Sequence, residues 1–329
     1  MCSNIIVSRL IYLWNNMNIL VIGSIAYDNI VHYDCNLKES IEKETLDWNI
    51  NMSIRASQYS QQSGGTGLNI SYNLALLNEK SILLWAIWND FEFTNFVQEW
   101  VNLSYVYKSD LLPSSSSFIT LDNYGNQLSV FAAWAMLKSD HIRIDNIAEN
   151  IAYAIISPTK KECMLNYLDW LQEEWVKIFF DPGQQLSTMS KEELENVREK
   201  ANYLIVNEHE FSLFKKISLL SEEEIYNSFK TVIITYWENG SKIIESWNIM
   251  NIPAVKTEEA VDPTGVWEAY RAGLVKWITS WLSWETSWKI GSLLASFCIE
   301  SNGWQNHFID IKQFQNLFLH EFGEEIELA

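Results

Sequence analysis

From Ile151 to Thr235 the chain alternates between short apolar runs and charged amphipathic stretches. "IAYAIIS", "VKIFFDPG", "NYLIVNEHE" and "KTVIITY" are brief runs rich in Ile, Val, Phe and Tyr, bounded by polar residues. Between them lie "KKECMLNYLDWLQEE", "KEELENVREK" and a stretch around Ser221–Phe229, each with helical spacing. A strand that is apolar on both faces must be covered on both faces, and the intervening helices supply the cover. This pattern predicts an α/β fold with a mostly parallel sheet between helical layers. Two late helices are expected, one from Trp267 and one around Trp284–Glu300.

The first half adds a second kind of material. "NILVIGSIAYDNIV" (Asn18–Val31) reads as a buried first strand broken at Gly23 and followed by a turn, and "KSILLWAIWND" as the next buried strand. Tyr33 to Ser63 is polar with weak alternation, which suggests short exposed strands. "SFITLDNYGNQLSVF" (Ser117–Phe131) alternates around a turn and predicts a hairpin. At 329 residues the chain suits two domains, or one large α/β domain with an accessory piece. "MCSNIIVSRLIYLWNNM" fits a signal peptide poorly, so residues 1–16 are read as a non-native or disordered extension and 17–329 as the folded domain.

Charge and cysteine content exclude several functions. A net charge of -19 argues against nucleic acid, which needs clustered Lys and Arg. No apolar run is long enough for a membrane span. Four cysteines without a CxxC pair read as reduced thiols of a cytoplasmic protein.

Ligands of such sheets bind beyond the carboxyl ends of the strands. Three polar stretches stand there: "DPGQQ" (Asp181–Gln185), "NEHE" (Asn207–Glu210) and "VDPTGVWEAYRAG" (Val261–Gly273). The last begins as a phosphate-binding turn feeding a helix, where Gly265, Val266, Trp267 and Glu268 would aim backbone N–H groups at an anion. Earlier, "SGGTGLNISYNLALLN" is a Gly-rich loop that opens a helix.

Taken in this order, these motifs resemble the ribokinase/PfkB family of small-molecule kinases over about Met17–His307, and "FDPGQQ" and "GWQNH" are most similar to its bacterial adenosine-kinase-like branch. The resemblance implies a ribokinase-like three-layer sandwich with a small β lid, placed at about residues 33–62 and 117–131. It implies a kinase that uses ATP and Mg2+ to phosphorylate a hydroxymethyl group of a nucleoside, adenosine first, with ribose or fructose as the alternative. Glu268 then stands as catalytic base and Gly265, Val266 and Trp267 as anion hole. Asp28, Gly64, Gly65 and Asn69 would bind the acceptor, and Asn207, Thr235, Gly240 and Asn306 the nucleotide. Glu210 would hold Mg2+ through water, and Asp262 a monovalent cation such as K+. Arg271 has two readings, facing phosphate or paired within the structure. The oligomeric state stays open between monomer and homodimer.

Three residues depart from the family's pattern. Leu68 replaces a small residue beside the sugar, Glu268 replaces the family's Asp, and Trp267 replaces the glycine of the anion hole. The last belongs to a set. Trp85, Trp88, Trp100, Trp134, Trp175, Trp237, Trp277, Trp281, Trp288 and Trp304 also stand at Gly-like positions, whereas Trp284 does not. The chain has 16 Trp and 12 Gly, and returning these eleven to Gly gives the roughly 23 expected of ordinary usage. A source that decodes UGA as Gly, translated as though UGA meant Trp, would produce this set. Drift after loss of function would scatter substitutions over many residue types. If Trp267 and Glu268 are both genuine, the alternative is a catalytically impaired ligand-binding relative.

Overall fold

The run Asn18–Val31 forms two strands in two different sheets. β1 (Asn18–Ile22) lies at the centre of the main sheet, the chain turns after Gly23, and β2 (Ala26–Tyr33) leaves for a smaller sheet. The turn needs a glycine, because a Cβ at Gly23 would lie 2.8 Å from the backbone nitrogen of Gly67. This computed structural model describes residues 18–328 apart from 47–48, 51–52, 54, 125, 143–146, 148–150, 258–259, 262–263, 281 and 302. The extension expected over residues 1–16 and the cation residue Asp262 lie outside the described residues.

After β2 come α1 (Leu37–Glu44), the two-residue strands β3 (Thr45–Leu46) and β4 (Asn49–Ile50), and β5 (Gln58–Gly64). The stretch read as short exposed strands thus contains a helix. Next are α2 (Thr66–Leu76), β6 (Ser81–Trp88), α3 (Asn95–Trp100), β7 (Val101–Asn102) and β8 (Val106–Ser109). The predicted hairpin is β9 (Ser115–Asp122) and β10 (Gln127–Ala132). The alternating region follows as β11 (Ile151–Ile156), α4 (Lys161–Glu173), β12 (Lys177–Phe180), α5 (Lys191–Lys200), β13 (Tyr203–Asn207), α6 (Glu208–Ser218), α7 (Glu222–Ser228) and β14 (Thr231–Thr235). The chain ends with β15 (Ser241–Glu245), β16 (Asn248–Ile252), α8 (Val266–Ser280), α9 (Trp284–Ile299) and α10 (Ile311–Phe322).

The main sheet runs β16-β15-β14-β13-β12-β11-β1-β6-β7, with β8 also paired to β6. It is parallel from β14 to β7, and β15 and β16 form an antiparallel edge. Two cores flank it, as strand alternation requires. Val21, Ile155, Ile205 and Ile233 face the core made with α2, α8, α9 and α10, while Leu20, Ile156, Leu204 and Val232 face α4, α5, α6 and α7. This is the three-layer α/β sandwich expected from the sequence. Strand order reverses at β1, with β6 on one side and β11 on the other, and a crevice opens beyond the strand ends at such a point. The smaller sheet has order β10-β9-β2-β5.

Several tryptophans occupy glycine's conformations. Trp134, Trp175, Trp237 and Trp247 have φ of 29°, 61°, 51° and 73°. Trp175 follows the end of α4, where the amides of Trp175 and Val176 bond back to Gln172 and Leu171. That is a Schellman motif with tryptophan at its usual glycine position. Trp247, a position the sequence reading did not mark, is the second residue of the two-residue β15–β16 turn, where both φ angles are positive and glycine is favoured. Buried indoles give an independent test. The N–H groups of Trp85, Trp288 and Trp304 have no hydrogen-bond partner, whereas Trp284 donates to Glu245 Oε1 at 2.8 Å. Trp100 differs from expectation: it is the last residue of α3, and the chain passes straight into β7 with no left-handed residue.

Candidate active site

The amino end of α2 packs against the turn that follows β1. Ser24 Oγ accepts from the amide of Thr66 at 2.9 Å, and Ser24 O accepts from that of Gly67 at 3.0 Å. Gly65 caps the helix at φ 96°, and a Cβ on it would lie 2.5 Å from Ser24 O. Only glycine meets both constraints. A Cβ on Gly64 would overlap the Asp28 carboxylate, so these two residues stand side by side where β5 and β2 begin to pair. Asn69, in the first turns of α2, is buried, and its Oδ1 accepts from Gln305 Nε2 at 2.9 Å. Near this group is a cavity of about 340 Å³ lined by Ile30, His32, Gln58, Gln62, Ile119, Leu121, Gln127, Thr264 and Trp304, among others.

The second signature closes the same region from the opposite side. Gly265 has φ 81° and directly precedes α8. A Cβ there would lie 2.8 Å from Trp304 Cβ, and one on Gly64 would lie 2.6 Å from Trp304 Nε1. Trp304 therefore packs against both Gly-rich turns. Val266, Trp267 and Glu268 form the first turn of α8, whose amides have no intrahelical acceptors and are the donors an anion would use.

Two further cavities meet at Trp267. One of about 170 Å³ is lined by Thr66, Asn207, Glu210, Thr235, Trp267, Glu268 and Arg271, among others. The other, about 720 Å³, is a groove bordered by Trp237, Gly240, Val255, Val266, Trp267, Tyr270 and Ser296. Trp267 is common to both, and its ring meets that of Trp237 edge-on with centroids 5.2 Å apart. The Trp267 indole stands between the groove and the small cavity.

Asn207 and Glu210 also have a structural task. They form a capping box at the start of α6, with Asn207 Oδ1 accepting from the Glu210 amide at 2.8 Å and Glu210 Oε2 from the Asn207 amide at 2.9 Å. Neither Asn207 Nδ2 nor Glu210 Oε1 takes part in the box. Burial, then the nearby Asp181 charge, raises the Glu210 carboxyl above its ordinary range. Glu268 is likewise raised by burial, with Arg271 pulling it back down. Among the described residues no group of three or more His, Cys, Asp or Glu could hold a metal ion. Magnesium is commonly held by one or two carboxylates together with substrate phosphates and water, and Glu210 in the small cavity is one such carboxylate. Glu210 would contribute here, and the ion would neutralise charge on the phosphates.

The structure gathers most of the expected residues at this crevice. Asp28, Gly64, Gly65 and Asn69 lie on the acceptor side, and Gly265 to Glu268 open α8. Asn207, Glu210 and Thr235 line the small cavity, and Gly240 lines the groove. Asn306 is placed elsewhere: it is exposed, with its Nδ2 beside Gly303 and Gln62 on the acceptor side rather than in the groove. Sequence reasoning gave no role to Ser24, took Gln305 only as part of "GWQNH" and read Trp304 as a glycine position. Nor did it give one to Asp181, although it quoted the strand-end "DPG", which is the signal that could have found it. Of the two readings of Arg271, the structure takes the paired one, with Asp181 as partner.

The pattern of pfkB family carbohydrate kinases matches residues 18–311. A nucleoside kinase of Methanothermobacter thermautotrophicus is 27% identical over 317 residues, 94% of this chain and 97% of that one. A nucleoside kinase of Methanocaldococcus jannaschii is 26% identical over 267 residues, 78% of this chain and 85% of that one. The structure of Burkholderia thailandensis nucleoside kinase in complex with inosine superposes with a TM-score of 0.85 at 29% identity, covering 93% of this chain and 99% of that one. With strand order, both Gly-rich turns and the match over nearly its whole length in agreement, the chain belongs to the pfkB family of carbohydrate kinases.

Proposed function

We propose that the protein transfers the γ-phosphoryl group of ATP to a hydroxymethyl group of a purine nucleoside, adenosine foremost, with Mg2+ on the phosphates. The observation that carries this reading is the acceptor cavity. A free sugar presents hydroxyls on all sides, whereas Ile30, Ile119 and Leu121 line this cavity with an apolar wall. Such a wall suits the flat faces of a base. The amides of Gln58, Gln62 and Gln127 supply both donors and acceptors for its polar edge. The nucleoside kinases to which the chain is similar support the same substrate class.

In this reading Asp28 and Asn69 hold the sugar hydroxyls and Glu268 accepts the proton of the attacking hydroxyl. The amides after Gly265 stabilise the charge on the transferred group, and the smaller sheet closes over the acceptor as a lid that excludes water. A glycine at position 267 belongs to the proposal, because an indole there fills the phosphate's path. Calorimetry with the Trp267→Gly protein tests the substrate class. Adenosine and inosine should bind far more tightly than ribose or fructose, and equal affinity for ribose would return the protein to the sugar kinases. Activity with K+ replaced by choline tests the cation assigned to Asp262, and activity without Mg2+ should vanish.

A further inference from the structure

Arg271 lies three residues after Glu268, on the same face of α8. Its Nη2 donates to Asp181 Oδ1 at 2.7 Å, and its Nε sits 2.6 Å from Asp181 Oδ2 without hydrogen-bond alignment. Asp181, directly after β12, is fully buried and anchored twice more. Ser157 Oγ donates to its Oδ2 at 3.0 Å, and its own amide donates to Ile156 O at 2.9 Å. One edge of the guanidinium is therefore fixed to the central sheet. Its remaining nitrogen, Nη1, lies 3.6 Å from Glu268 Oε1. An arginine held in this way is not poised to swing onto a transferred phosphate. Its free edge faces Glu268, and Glu210 is the further carboxylate that its charge reaches.

The acid needs such a partner. Glutamate carries one methylene more than aspartate and one more rotatable bond, so its carboxylate has more positions to choose from. Asp181, behind the arginine, repels it. Arg271 is the opposite charge that favours its ionised form.

We propose that Arg271, locked by Asp181, is a positioning residue for Glu268: it fixes the longer side chain in one orientation and keeps its carboxylate available to the acceptor hydroxyl. This rests on the kinase reading above. In the step it serves, the acceptor oxygen bonds to the γ-phosphorus as the bond to the ADP oxygen breaks. The hydroxyl proton passes to Glu268 and then to solvent.

The test is made in the Trp267→Gly protein, with Arg271→Ala, Arg271→Lys, Asp181→Asn and Glu268→Gln. A misplaced base costs about a hundredfold in rate, so Arg271→Ala should lower kcat by about that factor. Both KM values should stay close to those of the parent. Millimolar guanidinium ion should restore part of the lost kcat to Arg271→Ala and nothing to Glu268→Gln. Asp181→Asn should fall in the same direction, and Arg271→Lys should recover less than guanidinium does. A raised KM for ATP at unchanged kcat would overturn the proposal by placing Arg271 on the phosphates. So would a loss of kcat that guanidinium does not relieve. If the parent transfers phosphate to no acceptor, the kinase reading fails separately, and denaturant unfolding decides the pairing. Glu268→Gln should stabilise the protein when Arg271 is already Ala, and not when Arg271 is present. No difference between the two backgrounds would overturn it.

Discussion

The carboxylate of Glu268 reaches one methylene further than an aspartate's, and the structure directs it toward Arg271, 3.6 Å away. If it is the base, Glu268→Gln in the Trp267→Gly protein should cut kcat by about a hundredfold or more while leaving the KM for ATP in place. A kcat within about threefold of the parent would remove Glu268 from the chemistry. The tryptophans are also decided residue by residue. A bulky side chain in the left-handed region costs about 1–2 kcal/mol, and Trp175 is 87% exposed, so little packing is lost with it. Trp175→Gly should therefore raise the urea midpoint by an amount worth about 1 kcal/mol, and a lower midpoint would contradict the glycine reading. The gene gives a second check, with UGA expected at 134, 175, 237, 247 and 267 and UGG at 284; UGG throughout would end the idea. The sequence alone exposed most of these positions through their motifs. Trp247 escaped because its glycine role comes from a hairpin turn, and with tryptophan written there the turn chemistry was hidden.

Among the elements, α6 went unread: "NEHE" was taken as a ligand stretch at a strand end, although Asn207 and Glu210 write a capping box directly after an apolar strand. The same two residues line the small cavity, so cap and ligand site share atoms. Asn207→Ala should cost about 1 kcal/mol of stability through the cap alone, read as a lower denaturant midpoint. The α1 helix was misread because its eight residues are mostly polar and too few to show a clear period. The contacts of the segment after α9 were unreadable for another reason: its partners are more than two hundred residues away in sequence. His307 bonds to Asn73 Oδ1 at 2.8 Å, Tyr72 donates to His307 O at 2.6 Å, and Gln305 holds Asn69. This network ties the segment to the acceptor helix α2. Burial lowers the His307 pKa from 6.5 to about 4. The unfolded chain binds the proton more readily, so the contribution is full above pH 6.5 and lost as pH falls toward 4. Stability should drop by up to about 3 kcal/mol across that window, and His307→Gln should flatten the drop. An unchanged pH profile in the variant would contradict a buried neutral histidine.

For the molecule as a whole, alternation of apolar and amphipathic stretches was enough to announce a parallel sheet between helices. It could not order the strands. That β1 lies between β6 and β11 depends on where the crossovers run, and that β2 leaves for another sheet depends on the tight contact of Gly23 with Gly67. The resemblance carried by the Gly-rich turns supplied what periodicity lacked. The order of the sheet then explains why turns about two hundred residues apart meet: each stands beyond the carboxyl ends of strands near the point where strand order reverses. Whether that meeting point moves a phosphate decides what the protein does. The direct measurement is the product formed from ATP, Mg2+ and adenosine, inosine, ribose or fructose by the Trp267→Gly protein, identified by mass. Nucleoside monophosphate from adenosine or inosine, with little or no sugar phosphate, is the predicted result. Absence of transfer to every nucleoside by a folded protein that still binds ATP would contradict it.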